Sequence, residues 1–423
     1  MKLAEGVDLH FIKTEQFKTN HLTFRFSGKR QVKNLARRAL VAQMLATASE
    51  NYPTTKHLRE HLATLYGAHL STNIITKGNI HIIDIDISFV SNRYAFGKKD
   101  ILIDILHLLN ELLFHPLIFL EKYQTKTFDL EKANLIRYVE ADKQDQFYIS
   151  NLGLQELYYD DEALKHPKYG NEELIARENA FTAYQEFQKM LREDKIDIFL
   201  LGDFDDYQVA RQLISFSFSD RPINLQAFYK QDFTNVVREQ VLVKENNQSI
   251  LQLGYHIPIY YGEENYYAML IAEGILGGFS HSKLFTEIRE KDNLAYTIDS
   301  RYDAFTGFLR IYAGIDRENR AQIFKAITKQ INEIKMGRFS TQIIKQTKGM
   351  IISHAKMSLD NPKMIIEQTY NRLLLGHKGA NLDDFINHIN NVTKRDIIAA
   401  IGLVKLQAVY FLEGEYDESS RKS

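Results

Sequence analysis

Arg289 and Tyr296 flank a junction in the run Leu284-Phe-Thr-Glu-Ile-Arg-Glu-Lys-Asp-Asn-Leu-Ala-Tyr296. A guanidinium offers a fork of hydrogen-bond donors, and a phenol hydroxyl both donates and accepts. Brought together at the rim of a sheet, the two could bind a peptide carbonyl or a carboxylate. The plainer reading of the same pair is a surface Arg and a half-buried Tyr. A second group lies in His57-Leu-Arg-Glu-His61. On a helix, His57 and His61 stand one turn apart on one face. The chain has no cysteine, so any metal site must use His and carboxylates. Here too a plainer reading exists. Leu58, Leu62 and Leu65 form the natural buried stripe of that helix, which leaves both histidines towards solvent or a flank.

The junction that carries Arg289 and Tyr296 reads as a helix that stops and turns at once into a strand. Leu284, Phe285 and Ile288 recur at helical spacing. Asn293 suits a helix end because Asn tolerates the left-handed conformation. Leu294 to Ser300 then alternates apolar and polar, as a half-buried strand does.

Around these sites the pattern predicts a repeated order of elements. The first half opens with a strand at His21–Phe26, followed by helices over Lys33–Ser49 and Thr55–Tyr66. Strands Ala68–Thr76 and Ile80–Phe89 come next. Helices then cover Lys98–Phe114, Tyr123–Asp142 and Gly170–Leu191, and a strand at Ile196–Gly202 closes the half. The second half repeats it. A strand at Ile250–His256 precedes helices over Glu264–Ile275 and Ser282–Lys291, and strands Leu294–Ser300 and Gly307–Ala313 follow. Helices at Arg320–Lys335, Thr341–Met357 and Asp383–Ile401 lead to a closing strand, Ala408–Gly414. This is the pattern of a duplicated domain of about 200 residues. The expected boundaries are 1–210 for the first domain, 211–235 for a linker and 236–423 for the second. The fold class is α+β, with antiparallel or mixed sheets and packed helices.

Composition narrows the function classes. The net charge of −1 gives no global field for nucleic acid or an anionic membrane. No apolar run is long enough to span a bilayer. The N-terminus lacks the apolar run of a signal peptide, so a soluble, cytoplasmic protein is expected. Arg25, Lys29, Arg30, Lys33, Arg37 and Arg38 form a basic cluster, expected as a solvated face, with contact to an acidic partner as the functional alternative. Gly274, Gly277 and Gly278 are no phosphate loop, because no Lys-Ser/Thr pair follows them in the Walker position.

The run Ile275-Leu-Gly-Gly-Phe-Ser-His-Ser-Lys-Leu-Phe-Thr-Glu-Ile-Arg-Glu-Lys-Asp-Asn-Leu-Ala-Tyr296 resembles the second-domain signature of the pitrilysin/insulinase-type (M16) zinc peptidases. The resemblance extends over nearly the whole chain. It implies two homologous α+β domains of the kind found in mitochondrial processing peptidase, each a mostly antiparallel sheet with packed helices, facing each other as a clam shell around an unfolded peptide. It implies that Arg289 and Tyr296 hold the substrate backbone.

Active members of that family carry zinc on the first helix of the first domain through His-x-x-Glu-His, in which two His bind the metal and the Glu activates water. In Leu35-Ala-Arg-Arg-Ala-Leu-Val-Ala-Gln-Met-Leu45 the matching positions are Ala39, Ala42 and Gln43, and the third-ligand position falls on Tyr138. None of these can serve. His57-Leu-Arg-Glu-His61 matches the motif literally, with Glu60 as the base and Glu140 near the family's spacing for the third ligand. That match sits on the second helix, however, after Tyr52-Pro53 and before Leu65-Tyr-Gly-Ala68.

The resemblance therefore implies a non-catalytic chain with no cofactor of its own. Its expected partner is a zinc-bearing M16 chain in a heterodimer, with a peptide as substrate; a homodimer is left open. Within the family the chain resembles the motif-lacking members associated with elongation factor P modification, supported by the Tyr-Pro-Thr-Thr and Leu-Tyr-Gly-Ala segments. Two alternatives stand beside this reading. One is a scaffold or binding protein in that pathway without proteolysis. The other is a self-sufficient peptidase using His57, Glu60 and His61.

Overall fold

The computed structural model describes residues 1–96, 100–245, 248–376 and 379–415. The chain opens with two strands, β1 (Lys2–Ala4) and β2 (Val7–Lys13), followed by β3 (Thr19–Lys29). After two helices come β4 (His69–Lys77) and β5 (Ile80–Val90), and after the helical stretch β6 (Lys195–Gly202). These six form one mixed sheet in the order β1-β2-β6-β3-β5-β4. The second half supplies β7 (Arg238–Glu245), β8 (Ser249–His256), β9 (Thr297–Asp303), β10 (Phe308–Ile315) and β11 (Lys405–Glu415). They form a sheet in the order β7-β11-β8-β10-β9.

With β1 set aside, the two sheets match strand for strand. β2, β6, β3, β5 and β4 take the places of β7, β11, β8, β10 and β9. Each sheet has one parallel pair, β2 with β6 and β7 with β11, and its other pairs in this shared set are antiparallel. The duplication read from the order of elements is thus also a duplication of topology. The alternating runs explain the inward faces. Leu22, Phe24 and Phe26 of β3 and Ile83, Ile85 and Ile87 of β5 point into one core, against the helix Val32–Leu45. Leu253, Leu309, Ile311 and Ala313 point into a second core, against the helices of the second half. Each fully buried large side chain contributes roughly 1.5–3 kcal/mol.

The compact units divide the chain differently from the expected boundaries. One comprises Met1–Ala141 with His166–Ala227, the other Asp142–Lys165 with Phe228 onwards. The helix Gln146–Tyr158, which the periodicity did not reveal, belongs to the second unit, where Leu154 and Tyr158 pack with Ile250, Phe308 and Tyr410. The helix Asp206–Ile214 lies in the first unit and runs into the stretch expected as linker, most of which, up to Ala227, also belongs to that unit. Lys98, the expected start of the third helix, falls outside the described residues, and the helix runs Ile101–Phe114.

Two long helices expected as single are each two. Gly170–Leu191 splits into Glu172–Arg177 and Ala180–Glu193, because Asn179 accepts from the N–H groups of Phe181 and Thr182 and restarts the helix as a cap. Asp383–Ile401 splits into Leu382–Asn391 and Lys394–Gly402, where Thr393 and Asp396 form a capping box.

The basic cluster also differs from the expected solvated face. Arg38 is 1% exposed; its Nη1 lies 2.7 Å from Asp194 Oδ2, and its Nε donates to His81 Nδ1 at 2.9 Å. Arg25 makes a two-pronged contact with Asp84 at 2.8 and 2.7 Å, and Arg37 donates to Glu178 at 2.8 Å. The acids that these arginines meet belong to the same unit. A buried charge is tolerable only when paired in this way.

Candidate functional site

The double-glycine run and the Arg/Tyr run fold as two π-helices, Gly274–Gly278 and Leu284–Lys291. Such i→i+5 turns are rare and concentrate at functional sites. The first continues the α-helix Tyr266–Glu273, and its glycines permit close approach. A Cβ on Gly277 would lie 2.5 Å from Ser300 Oγ on β9 and 2.9 Å from Leu284 Cδ1 on the second π-helix. Gly277 is therefore the point where β9 and the helix bearing Arg289 converge. Beside it, Ser300 Oγ donates to Glu273 Oε1 at 2.7 Å. Burial raises the Glu273 carboxyl to about 7 against that hydrogen bond.

The second π-helix ends as its sequence suggests. The Asp292 N–H returns to the Glu287 carbonyl at 3.1 Å and the Leu294 N–H to Ile288 at 3.0 Å, while Asn293 takes φ +52°. Leu284 and Ile288 are buried, which leaves Arg289 exposed, its guanidinium carbon 4.8 Å from the Phe285 ring centre. Among the described residues Arg289 makes no hydrogen bond or ion pair. β9 begins at Thr297, later than the alternation suggested, because Leu294 and Ala295 are buried in the turn before the ladder. Tyr296 is tied at its backbone by its N–H to Gly314 at 2.9 Å and at its tip by its hydroxyl to Asp316 Oδ1 at 2.7 Å. Its side chain is otherwise open, at 60% exposure. The hydrogen bond to Asp316 holds the phenol above the usual tyrosine range. Among the described residues no hydrogen bond or ring contact joins Arg289 to Tyr296. They offer different things: Arg289 a free set of donors, Tyr296 a phenol oxygen whose hydrogen bond is already donated to Asp316.

The zinc positions of the first helix do not fit a metal. Ala39 and Ala42 are 1% and 4% exposed and lie in the core, Gln43 is partly exposed beside them, and Tyr138 is exposed on a later helix with its ring edge-on to Tyr169. The literal match fares no better. His57 is exposed, with Nδ1 3.2 Å from the hydroxyl of its own cap, Thr54, and His61 packs its ring 4.6 Å from Tyr52. Glu60 and Glu140 are exposed. Among the described residues no three His, Asp or Glu side chains form a group able to hold a metal ion, so His57, His61 and Glu140 are not such a group.

Over 411 residues, covering 97% of this chain and 96% of the relative, the sequence is 31% identical to a Bacillus subtilis protein named probable inactive metalloprotease YmfF. The chain belongs to the peptidase M16 family. A model of the M16 inactive domain matches residues 183–350, the stretch that contains both π-helices and Tyr296. The crystal structure of a conserved protein from Enterococcus faecalis V583 is similar across 99% of both chains, with a TM-score of 0.95 and 35% identity. A peptidase M16 inactive domain from Pseudomonas fluorescens covers 97% of both chains at a TM-score of 0.78 and 14% identity, a likeness of fold. No helix among the described residues is long and apolar enough to cross a membrane.

Two residues beside the candidate pair escaped the sequence. Asp316 carries no local signal, because its role depends on β10 folding back beside Tyr296. Glu273 did leave one: it is the single charge in Ala268-Met-Leu-Ile-Ala-Glu-Gly-Ile-Leu276, an apolar run where a carboxylate has no solvent to face.

Proposed function

We propose that this chain is the non-catalytic, peptide-binding subunit of a two-chain M16 peptidase. Arg289 and Tyr296 hold the peptide backbone, and a zinc-bearing M16 partner carries the chemistry. The observation that carries this reading is the complementary state of the two side chains. Arg289 has donors that nothing among the described residues uses, suited to a peptide carbonyl. Tyr296 donates its hydrogen bond to Asp316 and keeps acceptor lone pairs, suited to a peptide N–H. A peptide bond presents both groups. The buried alanines at positions 39 and 42 support the assignment of the reaction to another chain.

The test is peptide binding by the double variant Arg289→Gln/Tyr296→Phe, followed by anisotropy of a tryptophan in an unfolded peptide; the chain itself contains no tryptophan. Affinity is expected to fall at least ~10-fold, since a hydrogen bond to a charged group contributes about 1.5–3 kcal/mol, with the melting temperature unchanged. Unchanged affinity would remove the pair from the function.

The relative named a probable inactive metalloprotease, matched over nearly the whole chain, favours a second reading. In it the protein binds or scaffolds without any proteolysis, in the elongation factor P modification that the subgroup resemblance suggests. A purified pair with the zinc-bearing relative separates the two. Peptide cleavage by the pair supports the first reading, and binding without cleavage of any peptide supports the second.

A further inference from the structure

The face of the second sheet that packs against the helix Gln146–Tyr158 carries a like-charge pair. Arg301 on β9 and Arg310 on β10 are direct cross-strand partners, so their side chains share one face. Like charges directly opposite each other destabilise a sheet; Asp299 and Asp145 lie near enough to favour the Arg310 charge, but among the described residues neither forms an ion pair with Arg301 or Arg310. Asp145 spends its carboxylate capping the helix Gln146–Tyr158, on the N–H groups of Phe147 and Tyr148. Asp299 accepts from the Tyr312 hydroxyl at 3.1 Å. Among the described residues Arg301 makes no hydrogen bond or ion pair.

Arg310 is held in place without being satisfied. Its Nε donates to Gln252 Oε1 at 2.8 Å, and the other end of that fully buried amide donates to Ser150 Oγ at 2.7 Å. The guanidinium carbon lies 4.6 Å from the centre of the Tyr312 ring, which meets Phe147 nearly edge-on. Its two terminal nitrogens have no hydrogen-bond partner among the described residues. They border a cleft of about 380 Å³ between β9, β10 and the start of the helix. Burial lowers the Arg310 guanidinium to about 10, a cost that an anion at the cleft would offset. On the opposite wall Asn151 presents a buried side-chain oxygen that no donor meets.

We propose that this cleft binds a carboxylate of a peptide, with Arg310 as a pre-oriented fork, Arg301 as the second cation and Asn151 Oδ1 accepting a neighbouring peptide N–H. The carboxylate belongs either to a chain terminus or to an acidic side chain; both present the same two oxygens to a guanidinium. The site stands on residues separate from Arg289 and Tyr296 and does not depend on their role.

Three N-acetylated, tryptophan-containing peptides of Gly and Ser test it by anisotropy at low ionic strength. One has a free C-terminal carboxylate and no acidic residue. One is amidated and carries a single Glu. One is amidated and neutral. The full chain is expected to bind one of the first two at least ~10-fold tighter than the third, as a charge-assisted pair would give, and which of the two leads identifies the source of the carboxylate. The preference should weaken with salt and disappear in Arg301→Gln, an exposed position whose replacement leaves the fold intact. Without peptide, Arg301→Gln should also raise the melting temperature, because it removes the like-charge pair. The Arg289→Gln/Tyr296→Phe variant should keep the preference even where total affinity falls. Equal binding of all three peptides, failure of both acidic peptides to bind, or a preference that survives in Arg301→Gln and Arg310→Gln would overturn the proposal.

Discussion

The Tyr296 hydroxyl donates its hydrogen bond to Asp316, with 2.7 Å between the oxygens, and so faces solvent as an acceptor. Arg289, seven positions earlier at the end of a π-helix, faces solvent as a donor. The single variants should therefore separate by magnitude. Tyr296→Phe removes one neutral acceptor, worth about 0.5–1.5 kcal/mol, whereas Arg289→Gln removes a charged donor, worth about 1.5–3 kcal/mol. Peptide affinity is expected to fall more for Arg289→Gln. Methylating the peptide amide that meets Tyr296 should weaken binding to the wild type and leave binding to Tyr296→Phe unchanged. Equal losses in both proteins would assign Tyr296 another role.

Glu273 makes stability depend on pH. Its carboxyl titrates near 7 in the folded chain against 4.5 for the free group, because burial disfavours its charge. A folded pKa raised above the unfolded one means that the folded state binds the proton more tightly. The contribution is fully present below about pH 4.5 and is lost as pH rises through 7, up to about 3 kcal/mol in all. Glu273→Gln keeps a partner for Ser300 and abolishes the titration. The gap in unfolding free energy between variant and wild type should widen in the variant's favour from pH 5 to pH 8. His81 in the first unit works in the opposite sense. It is buried and held neutral by burial and by Arg38, so its contribution is lost as pH falls below 6.5. The difference between the two proteins, measured by denaturant titration at each pH, isolates Glu273. A constant gap would show that Glu273 does not titrate in this range.

Gly277 is a packing requirement of the site. Its φ is ordinary, but the space is not: a methyl there meets Ser300 Oγ and Leu284 together. Gly277→Ala should destabilise by roughly 1–3 kcal/mol, the usual cost of overpacking, and should shift the Arg289 helix away from β9. A lower melting temperature together with weaker peptide binding is the expected pair of results. A lower melting temperature with unchanged binding would mean that the helix holds its position by other contacts.

Most of the fold was legible, because the strands alternate and the duplication repeats their order. The failures have physical causes. Asp84 and Asp86 take the polar positions of the alternating strand β5, yet both are buried, bound by Arg25 and Thr23. A pattern of types does not reveal that charges on a strand will pair across it. β7 and the helix Gln146–Tyr158 were missed because each finds its partners far along the chain, on β11 and β8. Arg289 and Tyr296 drew attention through the family signature that their run resembles. Arg310 was not, because its significance lies in facing Arg301 across a hairpin and in the amide that orients it.

Ala39 and Ala42 bear on the last expectation, the metal content. Both side chains sit in the packed interface between the first helix and its sheet. An imidazole at position 39 or a carboxylate at position 42 would enter a space sized for a methyl group, at a cost of 1–3 kcal/mol or more from overpacking. Writing the family motif back as Ala39→His, Ala42→Glu, Gln43→His and Tyr138→Glu should therefore lower stability before it creates a metal site. For the wild type, elemental analysis of protein purified without tags or added metal is expected to find well below one zinc per chain. His61→Ala should leave that value unchanged, since His57 and His61 lack a third ligand among the described residues. About one zinc per chain, lost on His61→Ala and accompanied by peptidase activity that Glu60→Gln abolishes, would instead assign the chemistry to the second helix. It would also remove the need for a zinc-bearing partner.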